Sequence, residues 1–179
     1  MLSKEHEPPI FAPILQDNLY IECIGLAQLS KSSKQRYGSL MVKDGEILGY
    51  GYNRSVAHPS FGKLERVIYQ GYSNHAEIEA LNDALSNGKN VQGAEIYVGG
   101  YFPKINNLLF LKNEYTCLRS LPILEKFNIS KINVPAPTGW IVKNLDESYI
   151  DAKKYLNGTY NNRLLSAMGN WTLSDLSLP

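Results

Sequence analysis

Two residues able to bind a metal ion, and one able to carry a proton, occur in the central part of the chain. His75 and Glu77 stand two positions apart in the segment NHAEIEAL, and Cys117 follows 42 positions after His75. Imidazole nitrogen and thiolate sulfur are ligands that zinc prefers, and a catalytic zinc site keeps one position open for water. Bound zinc lowers the pKa of that water to about 7, and a nearby carboxylate can move protons between water and substrate. These residue types favour metal-assisted hydrolysis.

The first element expected to support this chemistry is a helix near the N-terminus. Residues 1–17 contain three prolines and predict an extended arm, after which Asp17 or Asn18 can cap a helix. Its apolar stripe consists of Leu19, Cys23, Leu26 and Ala27. The stripe places Cys23 on the packing face, where we expect a buried structural thiol.

Later segments predict an α/β order. Asp44-Gly45 separates two strand-like runs, residues 38–43 and 47–53, and this dipeptide is a strong hairpin signal. Apolar residues at helical spacing predict a helix that ends at Asn87-Gly88. Strand, helix, strand and a last amphipathic helix follow, at residues 94–101, 117–128, 129–137 and 146–157, with long connections at 54–72 and 102–115. A sheet covered by helices is expected, with His75 and Cys117 at two helix N-termini on one sheet face.

The succession of hairpin KDGEILGYGYN, NHAEIEAL, strand and TCLRS resembles the zinc-dependent cytidine deaminase superfamily, over about residues 18–136. The signature of this chemistry is H-x-E followed by P-C-x-x-C. The resemblance implies a cytidine deaminase-like three-layer α-β-α sandwich with a central mixed sheet. The length of 179 residues leaves room for one domain, residues 1–179, in which residues 137–179 form a C-terminal extension beyond the resemblance.

The resemblance implies a role for each matching residue. His75 and Cys117 would be zinc ligands and Glu77 the catalytic proton shuttle. Asn53, which closes GYGYN, and Ala76 would contact the substrate. The long connection between Asn53 and His75 is more similar to deoxycytidylate-type members than to the short tRNA-adenosine type.

Two positions depart from the pattern. Thr116 replaces the usual proline, and Ser120 replaces the second cysteine. Because a neutral hydroxyl is a weak zinc ligand, Ser120 is either a third metal contact or the N-cap of a helix that begins at Leu121-Pro122. His58, in the long connection, is a further candidate ligand.

Two other features have a structural alternative. Asn74 and Glu77 fit a capping box, in which Glu77 is only a helix-start residue. The basic cluster Lys31, Lys34 and Arg36 follows the first helix, where cations complement the helix dipole, although a nucleic-acid contact is the other interpretation.

Composition limits the function classes. A net charge of +1 over 179 residues and a pI near 7.7 argue against a broad nucleic-acid face, although not against a local basic groove. Two cysteines cannot form a disulfide framework, and neither a signal-like N-terminus nor a bilayer-length apolar run is present, so a cytoplasmic protein away from membranes is expected.

The leading expectation is therefore a Zn²⁺-dependent hydrolytic deaminase of a cytosine-type nucleoside or nucleotide. A deaminase-fold binding or partner subunit that has lost zinc, motivated by Ser120, is the second hypothesis. Editing of single-stranded nucleic acid is the third, and the balanced charge makes it less favoured. The family resemblance also leads us to expect a homo-oligomer with a small nucleobase-containing substrate as its ligand.

Overall fold

The computed structural model describes residues 12–54, 75–110, 120–156 and 168–176. These residues form a mixed sheet of seven strands flanked by helices. The helices are α1 Asn18–Leu29, α2 Ala76–Ser86, α3 Leu121–Lys126 and α4 Leu145–Leu156. The strands are β1 Arg36–Lys43, β2 Glu46–Tyr52, β3 Glu95–Phe102, β4 Asn107–Leu109, β5 Lys131–Ala136, β6 Gly139–Asn144 and β7 Met168–Thr172.

The sheet is organised around β1 and β3. Strand β1 pairs antiparallel with β2 on one side and with β3 on the other. The far edge of β3 is shared, because its first residues pair in parallel with β5 and its last residues pair antiparallel with β4. Strands β6 and β7 then extend the sheet beyond β5 and β4. The predicted mixed central sheet is therefore present.

Helices cover both faces of the sheet. Alternate residues of a strand point to opposite faces, and Leu40 and Val42 of β1 pack with α1 through Cys23. Met41, between them, packs in the core formed with α2, α3 and α4. The architecture is the three-layer α-β-α sandwich that the family resemblance implies; among the described α-helices, α1 lies on one face and α2, α3 and α4 lie on the other.

Helix α1 begins where the sequence predicts, but the face that it buries against the sheet is rotated from the predicted apolar stripe. The Asp17 carboxylate caps it by accepting a hydrogen bond from the Tyr20 backbone nitrogen at 3.0 Å. Its fully buried residues are Tyr20, Cys23, Ile24 and Ala27, whereas Leu19 and Leu26 of the predicted stripe are half-buried. The prediction of an extended arm is wrong for the end of the segment 1–17, because Pro13–Gln16 forms a 3-10 turn that buries Ile14 and Leu15.

Three strands were not expected from the sequence. Strand β4 lies inside the predicted long connection 102–115 and corrects it. Strands β6 and β7 lie in the predicted C-terminal extension and pair with β5 and β4 in the same sheet as the core. The predicted long connection 54–72 falls, apart from Arg54, outside the described residues. Among the helices described, none is long and apolar enough to cross a membrane.

Candidate active site

The start of α2 positions two of the predicted site residues. His75 is the N-cap, with an extended backbone at φ −79° and ψ 147°, and the helix begins at Ala76. Apolar residues on several sides of α2 are buried, and they hold its first turn against the sheet. Glu77 is consequently buried as well, at 8% exposure. The Glu77 carboxylate is therefore screened from bulk water, and Glu77 is the second residue of the helix.

The close approach of β2 to this turn depends on a glycine. A Cβ atom added at Gly51 would lie 2.3 Å from the carbonyl oxygen of Ala76 and 2.3 Å from the backbone nitrogen of Ala80. No side chain fits at such distances, so only glycine lets the end of β2 contact the first turn of α2. The predicted substrate contact Ala76 is 1% exposed in this interface.

Ser120 meets His75 from the start of α3. It is the N-cap of that helix, as one of the two sequence interpretations requires, and its carbonyl oxygen accepts hydrogen bonds from Ile123 and Leu124. Its hydroxyl makes no capping hydrogen bond. The fully buried Ser120 Oγ instead lies 3.1 Å from His75 Nδ1. Two helix N-termini thus bring together two of the three predicted ligand positions.

This separation fits two positions of a metal site. Two ligands bonded at about 2.0–2.1 Å to a tetrahedral zinc ion stand about 3.3 Å apart, close to the observed 3.1 Å. The chemistry of the pair is one good donor, the imidazole, and one weak neutral donor, the hydroxyl. The described residues contain no group of three His, Cys, Asp or Glu side chains able to hold a metal. The remaining predicted ligand, Cys117, lies outside the described residues, as do Thr116 and the candidate His58.

Cys23 lies away from this pair. Its side chain is fully buried between α1 and the sheet, on the face opposite α2, and its Sγ donates to the Tyr97 carbonyl oxygen at 3.7 Å. Burial, with smaller contributions from Asp17 and Glu22, raises the pKa of the thiol well above its usual value. The prediction of a buried structural thiol is confirmed.

Glu77 does not complete the predicted capping box. That interpretation needs Asn74 as N-cap and Glu77 at the third helical position, whereas the N-cap is His75 and Glu77 is second. Its carboxylate makes no hydrogen bond with any residue in the part of the chain that the structure describes. The helix begins one residue later than the capping-box interpretation requires, so that interpretation is wrong.

Asn53 is anchored by backbone groups. Its Oδ1 accepts from the Tyr37 backbone nitrogen at 2.9 Å, and its Nδ2 donates to the Gln35 carbonyl oxygen at 3.0 Å. The Ser30 hydroxyl donates to the Asn53 carbonyl oxygen at 2.9 Å. The Asn53 side chain therefore continues the hydrogen bonding between the two strands of the hairpin beyond their last paired residues. One N–H of its amide group is not used by these bonds.

An ion pair that the sequence did not lead us to expect joins Arg54 to Glu79 in the first turn of α2. Glu79 is 4% exposed, and its Oε2 lies 3.6 Å from Nη1 of Arg54, whose guanidinium is 5.8 Å from the centre of the Tyr52 ring. A signal was present, because Glu79 stands between the apolar residues Ile78 and Ala80 at the start of a helix expected to be buried. A carboxylate in such a position needs a cation.

Comparisons with known proteins identify the family of the chain. The family model described as "Cytidine and deoxycytidylate deaminase zinc-binding region" matches residues 15–133, about two thirds of the chain. A comparison with curated protein sequences finds no match.

Solved structures are similar at low identity. Cytidine deaminase from Burkholderia pseudomallei is 19% identical, with a TM-score of 0.48, over 72% of this chain and 91% of that one. The dCMP deaminase from cyanophage S-TIM5 in complex with dCMP and dUMP is 17% identical, with a TM-score of 0.36, over 58% of this chain. The chain covers 62% and 66% of the apo and complexed cyanophage proteins, respectively. By its match to the family model, the chain belongs to the cytidine and deoxycytidylate deaminase family.

Proposed function

We propose that this chain is a zinc-dependent hydrolase that removes the exocyclic amine of a cytosine-type nucleoside or nucleotide. The observation that carries the proposal is the meeting of His75 Nδ1 and Ser120 Oγ at 3.1 Å, with the buried carboxylate of Glu77 on the same helix start. Family membership supports the deaminase reaction. The metal and the substrate are the parts proposed here.

The residues that would hold zinc are His75, Cys117 and Ser120. Zinc bound there would supply an acidified water that can act as a nucleophile at neutral pH. His75 contributes the strongest described donor. Ser120, held at the helix start by its backbone hydrogen bonds, contributes a neutral oxygen.

Glu77 would carry the protons of the reaction. Its carboxylate accepts a proton from the attacking water, gives it to the ring nitrogen N3, and later delivers a proton to the departing amine. The C4–O bond forms and the C4–N4 bond breaks, so cytosine and water become uracil and ammonia. A carboxylate that is buried and makes no hydrogen bond to the described residues is free for this exchange.

Asn53 and Ala76 would orient the substrate. Asn53 is fixed by Tyr37 and Gln35 and retains one amide N–H for an acceptor on the sugar or base. A donor held in place by the backbone loses little side-chain entropy when it binds a ligand. Ala76 stands at the first position of α2, between His75 and Glu77, where the family pattern implies a substrate contact.

The Glu77→Gln variant tests the proposal. Substitution keeps the shape of the side chain but removes its ability to accept a proton, so we expect deamination of deoxycytidine or deoxycytidylate to fall by about 10²- to 10⁴-fold. The measurement is ammonia release by zinc-supplemented protein. The matched control is Glu46→Gln, an exposed carboxylate paired with Lys89, which should keep wild-type activity. Full activity in Glu77→Gln would remove Glu77 from the mechanism.

A second function is favoured by one observation, the hydrogen bond between Ser120 and His75 Nδ1. A ring nitrogen engaged with a hydroxyl cannot bind a metal at the same time. A subunit without zinc, serving as a binding partner, would keep this hydrogen bond. It predicts that added zinc does not bind and that no deamination occurs, whereas the enzyme hypothesis predicts that zinc displaces the hydrogen bond.

A further inference from the structure

Strand β6 is an edge of the sheet, and its outer side pairs with no strand in the part of the chain that the structure describes. It pairs antiparallel with β5 alone, without a shift in register. Pro135 of β5 stands opposite Trp140 and has no N–H, so these two residues form a non-hydrogen-bonded pair of the ladder. Because pairs alternate along an antiparallel ladder, the backbone groups of Trp140, Val142 and Asn144 point away from β5.

The last of these residues is closed by the start of α4. The Asn144 backbone nitrogen donates to Glu147 Oε2 at 2.9 Å, and the Glu147 backbone nitrogen donates to Asn144 Oδ1 at 2.8 Å. The Ser148 hydroxyl donates to the Asn144 carbonyl oxygen at 3.0 Å. These contacts agree with an Asn144 backbone that faces away from β5. No described residue bonds the outward backbone groups of Trp140 and Val142, so these two residues can still pair with another strand.

An open groove of about 340 Å³ runs beside this edge, between β6 and α4. Val142 and Ile150, on its two sides, are 53% and 55% exposed and are two of the five large apolar side chains exposed among the described residues. An ion pair within the groove joins Lys143 to Asp151. Exposed apolar side chains beside an unpaired strand edge are avoided in monomers and mark an interaction site. The groove is lined by Ile141, Val142, Lys143, Glu147, Ile150 and Asp151.

The other two edges of the sheet are protected from pairing. On β2, the Tyr50 backbone nitrogen donates to Asp83 Oδ2 at 2.9 Å, and Glu46 forms an ion pair with Lys89. Strand β7 has five residues, and its register with β4 is irregular. Charged groups, short strands and irregular register all prevent edge-to-edge association. Among the described strands, β6 is therefore the edge best suited to pair with another chain.

The sequence of β6 is complementary to a second copy of itself. A two-fold axis at Ile141 would place Trp140 opposite Val142 of the second copy, with the outward backbone groups of both residues facing each other. Each such pair can exchange its two N–H···O bonds. An aromatic side chain opposite a β-branched one is a favourable cross-strand pair. Lys143 would lie opposite Gly139 of the second copy, so no like charges are opposed.

The charges of α4 also favour a second copy. Glu147 lies in the first turn of α4, Lys153 is exposed in its second half, and Ile150 lies midway between them. Ile150 lines the same groove as Ile141, so the two-fold axis passes close to it. The two α4 helices would then run antiparallel, which brings the acidic start of each helix to the basic half of the other. Such charge complementarity favours this pairing over wrong partners.

We propose that this chain forms a two-fold symmetric dimer through the outer edge of β6 and the adjoining face of α4, so that the sheets of the two copies become continuous. The inference is independent of the proposed function, because it uses no residue of the candidate active site. A contact in which the same surface of both copies takes part is closed. The expected assembly is therefore a dimer and not a fibre.

Sedimentation equilibrium of the full chain tests the proposal. We expect wild-type protein to reach twice the chain mass of 20.1 kDa as its concentration rises. Val142→Pro removes an outward N–H without removing a bond to β5, and Ile150→Lys places a charge beside the axis. Each variant should raise the dissociation constant of the dimer at least about tenfold, as loss of a central interface contact does. The matched control is Ile105→Lys, at a 50% exposed isoleucine outside the groove, which should dimerise as wild-type protein does.

Urea denaturation of each monomer shows that the variants remain folded. If Val142→Pro does not fold, Ile150→Lys decides alone, because it changes an exposed position on a helix surface. A dimer that is weakened by Ile150→Lys and not by Ile105→Lys supports the proposal. Wild-type protein that is monomeric at its highest soluble concentration, or a dimer that Ile150→Lys leaves equally tight, would overturn it.

Discussion

Ser120 is the residue on which the metal-binding capacity of the candidate site depends. The sequence shows a serine where the family signature has its second cysteine, and Pro122 after it indicates a helix start, so both interpretations of Ser120 could be predicted. In the structure Ser120 is the N-cap of α3, as one interpretation requires, and its hydroxyl lies 3.1 Å from His75 Nδ1. A sequence cannot give this orientation, because it depends on the packing of two helices that are distant along the chain.

Tyr97 provides a residue-level prediction on pH. Burial first, and then the negative charge of Glu95, raise the pKa of this phenol above its usual value of 10. The folded state therefore holds the proton more tightly than the unfolded state. The stabilisation is fully present below pH 10 and is lost as pH rises from about 10 towards the folded-state pKa. We expect thermal unfolding scans to show wild-type protein losing stability relative to Tyr97→Phe over that window.

The comparison with Tyr97→Phe cancels the other tyrosines, which titrate in both proteins. Below pH 9 the difference in unfolding temperature between the two proteins should stay constant. A difference that also stays constant up to the highest measurable pH would show that Tyr97 has an ordinary pKa.

At the scale of secondary structure, elements with strong local signals were predictable. The turn at Asp44-Gly45, where both residues have positive φ, and the stop at Gly88, with φ +67°, are confirmed. Short strands were not, because β4 has three residues and β7 five, too few for a periodic pattern. A signal for β6 was overlooked: Pro137 and Gly139, which has φ +141°, mark a tight turn before a run of β-forming residues.

Contact between β2 and α2 yields a prediction at this scale. Gly51→Ala places a methyl group 2.3 Å from the backbone of α2, which cannot shift without moving His75 and Glu77. We expect the free energy of unfolding to fall by about 1–3 kcal/mol or more, the usual cost of overpacking. Urea denaturation measures this loss, and deamination should fall with it.

A matched control exists in α1. An added Cβ at Gly25 meets no atom within 4 Å. Gly25→Ala should therefore raise the free energy of unfolding by about 0.5–1 kcal/mol, since alanine is the better helix former. If Gly51→Ala were as stable as Gly25→Ala, the close contact between β2 and α2 would be wrong.

At the scale of the whole molecule, the order of elements was enough to predict the layered architecture. Alternating strands and helices with apolar faces leave few ways to bury a core of this size. The sequence could not predict which side chains meet. Asn53 contacts residues 30–37, and Arg54 contacts Glu79. These contacts join turns and strand ends that are distant along the chain, and no local sequence pattern predicts them.

The central claim is that His75 and Ser120 share one zinc site, and zinc affinity measures it most directly. Wild-type and Ser120→Cys proteins are titrated with zinc against a chelator, with Ser86→Cys, an exposed position on α2, as the control thiol. Because loss of even an outer-sphere partner costs about 10- to 100-fold in metal affinity, a thiolate gained at the metal should raise affinity by more than that. We predict one zinc per chain in both wild-type and Ser120→Cys protein, bound more tightly by Ser120→Cys and unchanged by Ser86→Cys. Equal zinc affinity in Ser120→Cys and Ser86→Cys, or zinc retained when His75 is replaced by alanine, would contradict the account.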